Sequence, residues 1–368
     1  MKIFLLGIAL AFFACEATAQ MRSEKFGNPG MNRFPAVVAE RLGYIDEQGK
    51  TVIEQKFFAA MRTEVYNETR FLVPYLQENA LFSEGLAAVQ PVYQFLFFLS
   101  TGRFGYIDST GAFAIEPQFI QALAFSEGLA AVSVPRDAIL TVPTGEKYGY
   151  INESGKFTIP AQFDWAGSFS EGLAPVRQGK RYGYINPAGR LAIRFQYERA
   201  GIFSEGLAAI KQEERYGYID TSGTIVIAPR YDFGHRFSDG RAAVYLEDRW
   251  TFIDAQGKEI TSMPFEDARP FSEGFAAVKR NGRFGYIDTS GTQTIAFKFD
   301  EAQPFREDMA VVRIGSKWGY IDKTGRLVIA ARFETAKRFI GGLAAVILDG
   351  NAGYIDRRGN VVWKDAPQ

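Results

Sequence analysis

The segment Phe271-Ser272-Glu273-Gly274-Phe275-Ala276-Ala277-Val278-Lys279-Arg280-Asn281-Gly282-Arg283-Phe284-Gly285-Tyr286-Ile287-Asp288 holds two apolar runs separated by Asn281-Gly282. Asn and Gly both tolerate the positive φ that a type I′ turn requires, so this spacing predicts an antiparallel hairpin. Gly315-Ser316 and Asp349-Gly350 fill the same slot in later copies. Working outward, Asp288 stands three residues before Gly291, and the same pairing runs through Asp46/Gly49, Asp108/Gly111, Asn152/Gly155, Asn186/Gly189, Asp220/Gly223, Asp254/Gly257, Asp322/Gly325 and Asp356/Gly359. An Asx side chain caps the first position of a type I turn and the glycine supplies its left-handed residue. A third strand is expected after that turn, at Val52-Ile53, Ile115, Ile159, Ile193, Val226-Ile227, Ile260, Ile295, Val328-Ile329 and Val362-Trp363.

A linking segment follows, with an aromatic at Phe57, Phe119, Phe163, Tyr197, Tyr231, Phe265, Phe299 and Phe333. Three residues beyond each stands Ala, or Gly234 in one copy, which reads as an aromatic plug and a close backbone crossing. The motif aromatic recurs every 34 residues at Tyr150, Tyr184, Tyr218, Phe252, Tyr286, Tyr320 and Tyr354, with earlier copies at Tyr44 and Tyr106. Such a period marks an array whose units bury their apolar faces against their neighbours. The expected fold is all-β: about nine three-stranded antiparallel meanders over residues 34–363. An open superhelical array is expected, with a closed propeller-like ring as the alternative, since propellers usually have four to eight blades of four strands.

Among the 368 residues, Lys+Arg and Asp+Glu both number 42, and aromatic residues make up 15%. A zero net charge gives no case for nucleic acid or an anionic membrane surface as partner. Residues 1–19 combine Lys2, an apolar run from Ile3 to Phe13 and Ala17-Thr18-Ala19, the pattern of a signal peptide cleaved after Ala19. The apolar run is shorter than a membrane span. Lipidation at Cys15 is the weaker reading, because Phe12-Phe13-Ala14 makes a poor lipobox. The expected address is periplasmic or secreted, and the processed chain would hold no cysteine for disulfide or thiolate chemistry. Residues 20–33 read as a linker and 364–368 as a tail.

Lys317-Trp318-Gly319-Tyr320-Ile321-Asp322, together with Phe271-Ser272-Glu273-Gly274, resembles the WG-repeat family of bacterial arrays. The likeness spans about residues 34–363. The Trp slot more often holds another residue, namely Leu42, Phe104, Tyr148, Tyr182, Tyr216, Phe284 or Ala352, with Trp again at Trp250, and Thr251 replaces the glycine once. The resemblance implies an interaction or scaffold role and carries no catalytic residue set.

Two repeated charges attract attention. A base stands three before the motif aromatic at Arg41, Arg103, Lys147, Arg181, Arg215, Arg249, Arg283 and Lys317, and an acid recurs in Ser-Glu-Gly at Glu84, Glu127, Glu171, Glu205, Asp239, Glu273 and Glu307. They read as a ladder of ion pairs or backbone-capping contacts between repeats, or else as a charged stripe for an extended ligand. The Asp-x-x-Gly turns offer one carboxylate each, too few for calcium. His235, the lone histidine, rules out a multi-His metal site and reads as structural. No nucleophile elbow, phosphate-cradling loop or zinc spacing is present. No cofactor, metal or catalytic residue is expected.

Insertions interrupt the period near 58–81, 91–102 and 133–147. In the first, Met61, Val65, Leu72 and Tyr75-Leu76 are spaced loosely as a helix. The second, Val92-Tyr93-Gln94-Phe95-Leu96-Phe97-Phe98-Leu99, reads as an apolar hairpin extension, and Tyr93, Phe95, Phe97 and Phe98 are the candidate partner-binding residues, packing or an end cap being the competing reading. The expected function is that of an exported, non-catalytic binding or scaffold module for a protein or glycan partner of the cell envelope. A hydrolase of envelope polysaccharide and a purely structural envelope component are the alternatives. The oligomeric state stays open.

Overall fold

The computed structural model describes residues 33–364 apart from 39–40, 59–60, 67–68, 75–81, 91, 96–97, 102, 137, 140–141, 144 and 262–263. The signal segment 1–19, and nearly all of the linker 20–33 and the tail 364–368, lie outside the described residues. By backbone contacts the chain divides into two compact bodies, 1–196 and 197–368. Among the described residues every regular element is a β-strand, arranged as small antiparallel sheets in tandem.

The second body shows the repeat most clearly. Phe275–Arg280 pairs with Arg283–Asp288 in the register Phe275↔Asp288 to Arg280↔Arg283, and Gln293–Phe299 completes the meander. Asn281 (φ 50°) and Gly282 (φ 74°) both take the left-handed conformation that the type I′ turn demands. The linking segment differs from expectation. It contributes a fourth strand of two residues, Asp267–Ala268, whose Ala268 pairs with Val278. Two residues are too few to show an alternation, so the segment looks like coil in sequence.

The glycine before the motif tyrosine has a steric cause. Pairing runs Phe284↔Phe299, then Tyr286↔Ile295, then Ile287↔Gln293, so the third strand bulges over Gly285. A Cβ on Gly285 would lie 2.6 Å from the Ile295 carbonyl oxygen, a distance no side chain tolerates. The third strand buries only Ile295 and Phe299 and exposes the residues between them or leaves them partly covered.

Neighbouring repeats share each core. Ala277, Tyr286 and Ile295 pack with Phe305, Ala310, Val312 and Ile321 of the following repeat. The Tyr286 and Phe305 rings meet at 4.9 Å, and Tyr320 meets Phe339 at the same distance one repeat later. Each buried aromatic contributes about 1.5–3 kcal/mol by leaving water, so a repeat isolated from its neighbour would lose most of its stabilisation. The Asp-x-x-Gly turn also docks on the previous repeat: a Cβ on Gly325 (φ 79°) would reach 2.7 Å from Ile295 Cγ2.

One repeat breaks the pattern. Thr251 holds the glycine slot, and among the described residues no strand stands around Ile260; the sheet there comprises Phe233–Gly234, Ala242–Leu246 and Arg249–Ile253. Isolated bridges Ile253↔Glu259 and Trp250↔Phe265 remain on either side of the gap. Thr251 and Thr261 are both buried, and their hydroxyls hydrogen-bond to each other at 2.8 Å.

The first body carries the insertions as three hairpins. Met61–Tyr66 pairs with Thr69–Pro74, which corrects the helical reading of this insertion. Its β-branched and aromatic residues Thr63, Val65, Tyr66, Thr69, Phe71 and Val73 favour strands, and that preference outweighs the loose three-to-four spacing. Val92–Phe95 pairs with Phe98–Thr101, the expected hairpin extension, and Ala138–Ile139 pairs with Val142–Pro143.

Candidate interaction surface

The repeated acids hold backbone. In each Ser-Glu-Gly turn the acid itself has positive φ, from 51° at Glu84 to 56° at Glu205 and 52° at Glu307. Its carboxylate accepts N–H groups of the equivalent turn in the next repeat. Glu127 and Gly128 donate to Glu84 at 3.0 and 2.9 Å, Gly240 to Glu205 at 2.8 Å, Gly274 to Asp239 at 2.7 Å, and Glu307 and Asp308 to Glu273 at 2.6 and 3.0 Å. The serine joins in: the Ser83, Ser126 and Ser204 hydroxyls donate to the carbonyls of Phe125, Phe169 and Phe237. These are the backbone-capping contacts between repeats foreseen from the sequence.

The repeated bases have other partners. Lys147 pairs with Asp164 at 2.6 Å, Lys317 with Glu334 at 2.7 Å, Arg215 with Asp232 and Arg283 with Asp300. Those acids directly follow the aromatic plug, a position the sequence reading passed over. They also cap the hairpin turn, as when the Gly179 N–H donates to Asp164 at 2.6 Å and the Gly315 N–H to Asp300 at 2.7 Å. The Lys147 hydrogen bond holds the Asp164 carboxyl below the ordinary aspartate value.

The motif tyrosine is consumed as well. Tyr106, Tyr150, Tyr218, Tyr286 and Tyr320 donate their hydroxyls to the carbonyls of Leu123, Gly167, His235, Gln303 and Lys337 at 2.7–2.9 Å. Burial pushes the phenols of Tyr106, Tyr150, Tyr286 and Tyr320 up, so they stay neutral donors. Tyr148, in the Trp slot, is pushed up to about 12 by burial and by the Glu146 carboxylate beside it.

The expected contact residues Tyr93, Phe95 and Phe98 lie on the inserted hairpin, where Phe95 pairs with Phe98 and Tyr93 with Ser100; Phe97 lies outside the described residues. A second surface was missed. In the interrupted repeat one cross-strand row runs Phe233, Tyr245, Trp250, Phe265. Trp250 lies 5.8 Å from Phe233, 5.3 Å from Tyr245 and 5.3 Å from His235, whose ring stacks on it at 26°. Phe233, His235, Tyr245 and Trp250 are all partly exposed, while Phe265 is buried. The lone histidine is thus part of an aromatic strip. Its signal in sequence was Tyr245, which stands where four other repeats carry Arg177, Lys211, Lys279 and Arg313.

Among the described residues no group of three His, Cys, Asp or Glu is placed to hold a metal, and no helix is long and apolar enough to cross a membrane.

The shared cores, bulged glycines and capped turns define a tandem β-repeat protein. The chain matches the WG containing repeat at residues 104–134, 148–182, 182–216, 216–250, 250–284, 284–318 and 318–351, and it belongs to that family. No curated protein matches it. Among solved structures, it is similar to a eukaryotic initiation factor at 10% identity and a TM-score of 0.61, over 91% of this chain and 96% of that one. It is also similar to AztD of Citrobacter koseri (11% identity, TM-score 0.40, 91% and 94% covered) and to Hsv2 of Kluyveromyces marxianus (13%, 0.37, 54% and 71%). At such identities the initiation factor shows a shared fold and nothing of function.

Proposed function

We propose that this WG-repeat chain is an exported, non-catalytic binding or scaffold module, and that its partner is a protein or glycan of the cell envelope. One observation carries the reading. Among the described residues the recurring charged and hydroxyl groups are taken up within the array itself, as the Glu273 carboxylate is by the Glu307 and Asp308 N–H groups and the Lys317 ammonium by the Glu334 carboxylate. Repetition therefore serves the scaffold, and recognition falls to what does not repeat: the hairpins at Met61–Pro74, Val92–Thr101 and Ala138–Pro143.

The test compares the intact chain with one lacking residues 92–99 as bait against native envelope extract, followed by rebinding of the purified captured component. Loss of capture with an unchanged melting temperature supports the reading. Equal capture by both baits removes the hairpin from it. Export is checked by N-terminal sequencing of chain recovered from its producing cell, where Gln20 is the expected first residue.

A further inference from the structure

The row that crosses each sheet at the Trp slot has a common plan. In four repeats a base on the neighbouring strand stands beside the slot aromatic. The Lys279 Nζ lies 5.6 Å from the Phe284 ring centre and the Arg313 Cζ 5.9 Å from that of Trp318, the separation at which a ring quadrupole attracts a cation. The same base also holds the turn beside it. Lys211 pairs with Glu214, and the Arg177 and Arg313 guanidinium groups donate to the carbonyls of Gly179 and Gly315 at 2.9 and 2.8 Å.

The Trp250 repeat keeps the ring and, like the Lys211 repeat, has an acid in the adjoining turn, but lacks the cation. Tyr245 takes the place of the base, and its hydroxyl donates to Asp248 at 3.2 Å. Asp248 is the counterpart of Glu214, one period earlier. Among the described residues neither Asp248 nor Glu247 meets a basic side chain, and both are exposed. Phe233, Tyr245, Trp250 and His235 thus offer a partly exposed aromatic strip bordered by two carboxylates, complementary in charge to a base.

We propose that this strip is a docking site for a cationic side chain, lysine or arginine, of a protein partner, which would restore from outside the pairing that the sister repeats make internally. The alkyl stem would lie on the rings and the charged head would reach Asp248. The site lies in the second body and does not involve the inserted hairpins, so its failure and theirs are separate results.

The experiment titrates the intact chain with labelled hexalysine and hexaarginine peptides, with hexaglutamate and an uncharged glucan oligosaccharide as comparisons. The variants are Tyr245→Lys, Asp248→Asn and Trp250→Ala. Tyr245→Lys is the informative one, because lysine already occupies this position at Lys211 and Lys279 and the fold accepts it. A basic peptide is expected to bind the parent, with affinity falling about tenfold in Tyr245→Lys at an unchanged melting temperature and about threefold in Asp248→Asn. Added salt is expected to weaken it further. Equal affinity in Tyr245→Lys, absence of basic-peptide binding, or binding of the oligosaccharide in its place would each overturn the assignment.

Discussion

Two repeats of one chain, Arg249–Phe265 and Arg283–Phe299, differ at the buried pairs Thr251/Gly285, Phe252/Tyr286 and Thr261/Ile295 and end with different sheets. In the second, Gly285 lets the strand Gln293–Phe299 cross at a distance that would put a Cβ 2.6 Å from the Ile295 carbonyl. In the first, Thr251 fills that space, Thr261 replaces the isoleucine opposite, and among the described residues the third-strand pairing is reduced to isolated bridges. The absence of one side-chain carbon is what allows a meander to fold over itself. The paired threonines show how the array tolerates an exception, by giving each buried hydroxyl the other as partner. The aromatic strip sits on the same repeat, where departure from the regular pattern also frees a surface from scaffold duty.

The strongest test transplants the exception. Gly285→Thr in the regular repeat is expected to cost about 3 kcal/mol, from a backbone clash that cannot relax without giving up the strand. Adding Ile295→Thr supplies the hydroxyl partner and is expected to make the pair less damaging than the sum of the single changes. Chemical denaturation of the four-member cycle checks this. Strict additivity would mean that the threonine pair at 251 and 261 is coincidence.

Tyr286→Phe comes next. The Tyr286 side chain is buried and its hydroxyl donates to the Gln303 carbonyl at 2.9 Å, so removing that hydroxyl is expected to cost about 1–2 kcal/mol. The interrupted repeat supplies the reverse experiment, since Phe252 already lacks that hydroxyl. Phe252→Tyr is expected to stabilise the chain by about 1 kcal/mol if the new hydroxyl reaches the Arg269 carbonyl, the equivalent position 17 residues on. A melting temperature lowered by Phe252→Tyr would show that the two repeats differ in more than the strand.

Repair is a smaller effect. Thr251→Gly with Thr261→Ile is expected to restore the missing strand, to stabilise by about 1 kcal/mol and to raise amide-exchange protection over 259–261. Thr251→Gly alone leaves the Thr261 hydroxyl buried without its partner and is expected to destabilise.

What could be read from the sequence was local turn chemistry and its period. Asn281-Gly282 and Asp288-x-x-Gly291 announce their conformations through their own side chains, and the hairpin register follows from them. The plug at Phe299 and the small Ala302 were readable because they recur and lie buried. Less local features were hidden. Arg283 was set beside the acids of Ser-Glu-Gly, whereas its partner is Asp300, brought close only when the third strand returns along the sheet. The strand Asp267–Ala268 is too short to alternate, and Met61–Pro74 misled because loose helical spacing was weighed above strand-forming composition. The aromatic strip needed the cross-strand row: Tyr245 is unremarkable until aligned with Lys211, Lys279 and Arg313.

The gentlest comparison is between the Asx turns. Asp288 Oδ1 accepts the N–H groups of Ser290 and Thr292 at 2.9 and 3.0 Å and the Ser290 hydroxyl at 2.5 Å, while Asp254 in the interrupted repeat has the two N–H bonds, from Gln256 and Lys258, but no hydroxyl at that position. Asp108, Asp220 and Asp322 share the hydroxyl, from Thr110, Ser222 and Thr324, and in all four the side-chain hydrogen bond is the first cause holding the carboxyl below the ordinary 3.8. A carboxyl whose folded pKa lies below its unfolded one binds protons more weakly in the folded state. Its stabilisation is therefore complete above about pH 4, and it fades as the pH falls from 3.8 through the lower folded value. Asp288→Asn keeps the acceptor oxygen, as Asn152 and Asn186 do naturally, and is expected to cost only about 0.5 kcal/mol at pH 7. Replacing Asp108, Asp220, Asp288 and Asp322 together by Asn should flatten the fall of melting temperature below pH 4. An acid limb as steep as the parent's would assign that instability to other carboxylates, such as the Asp164 and Asp308 groups held down by Lys147 and Lys323.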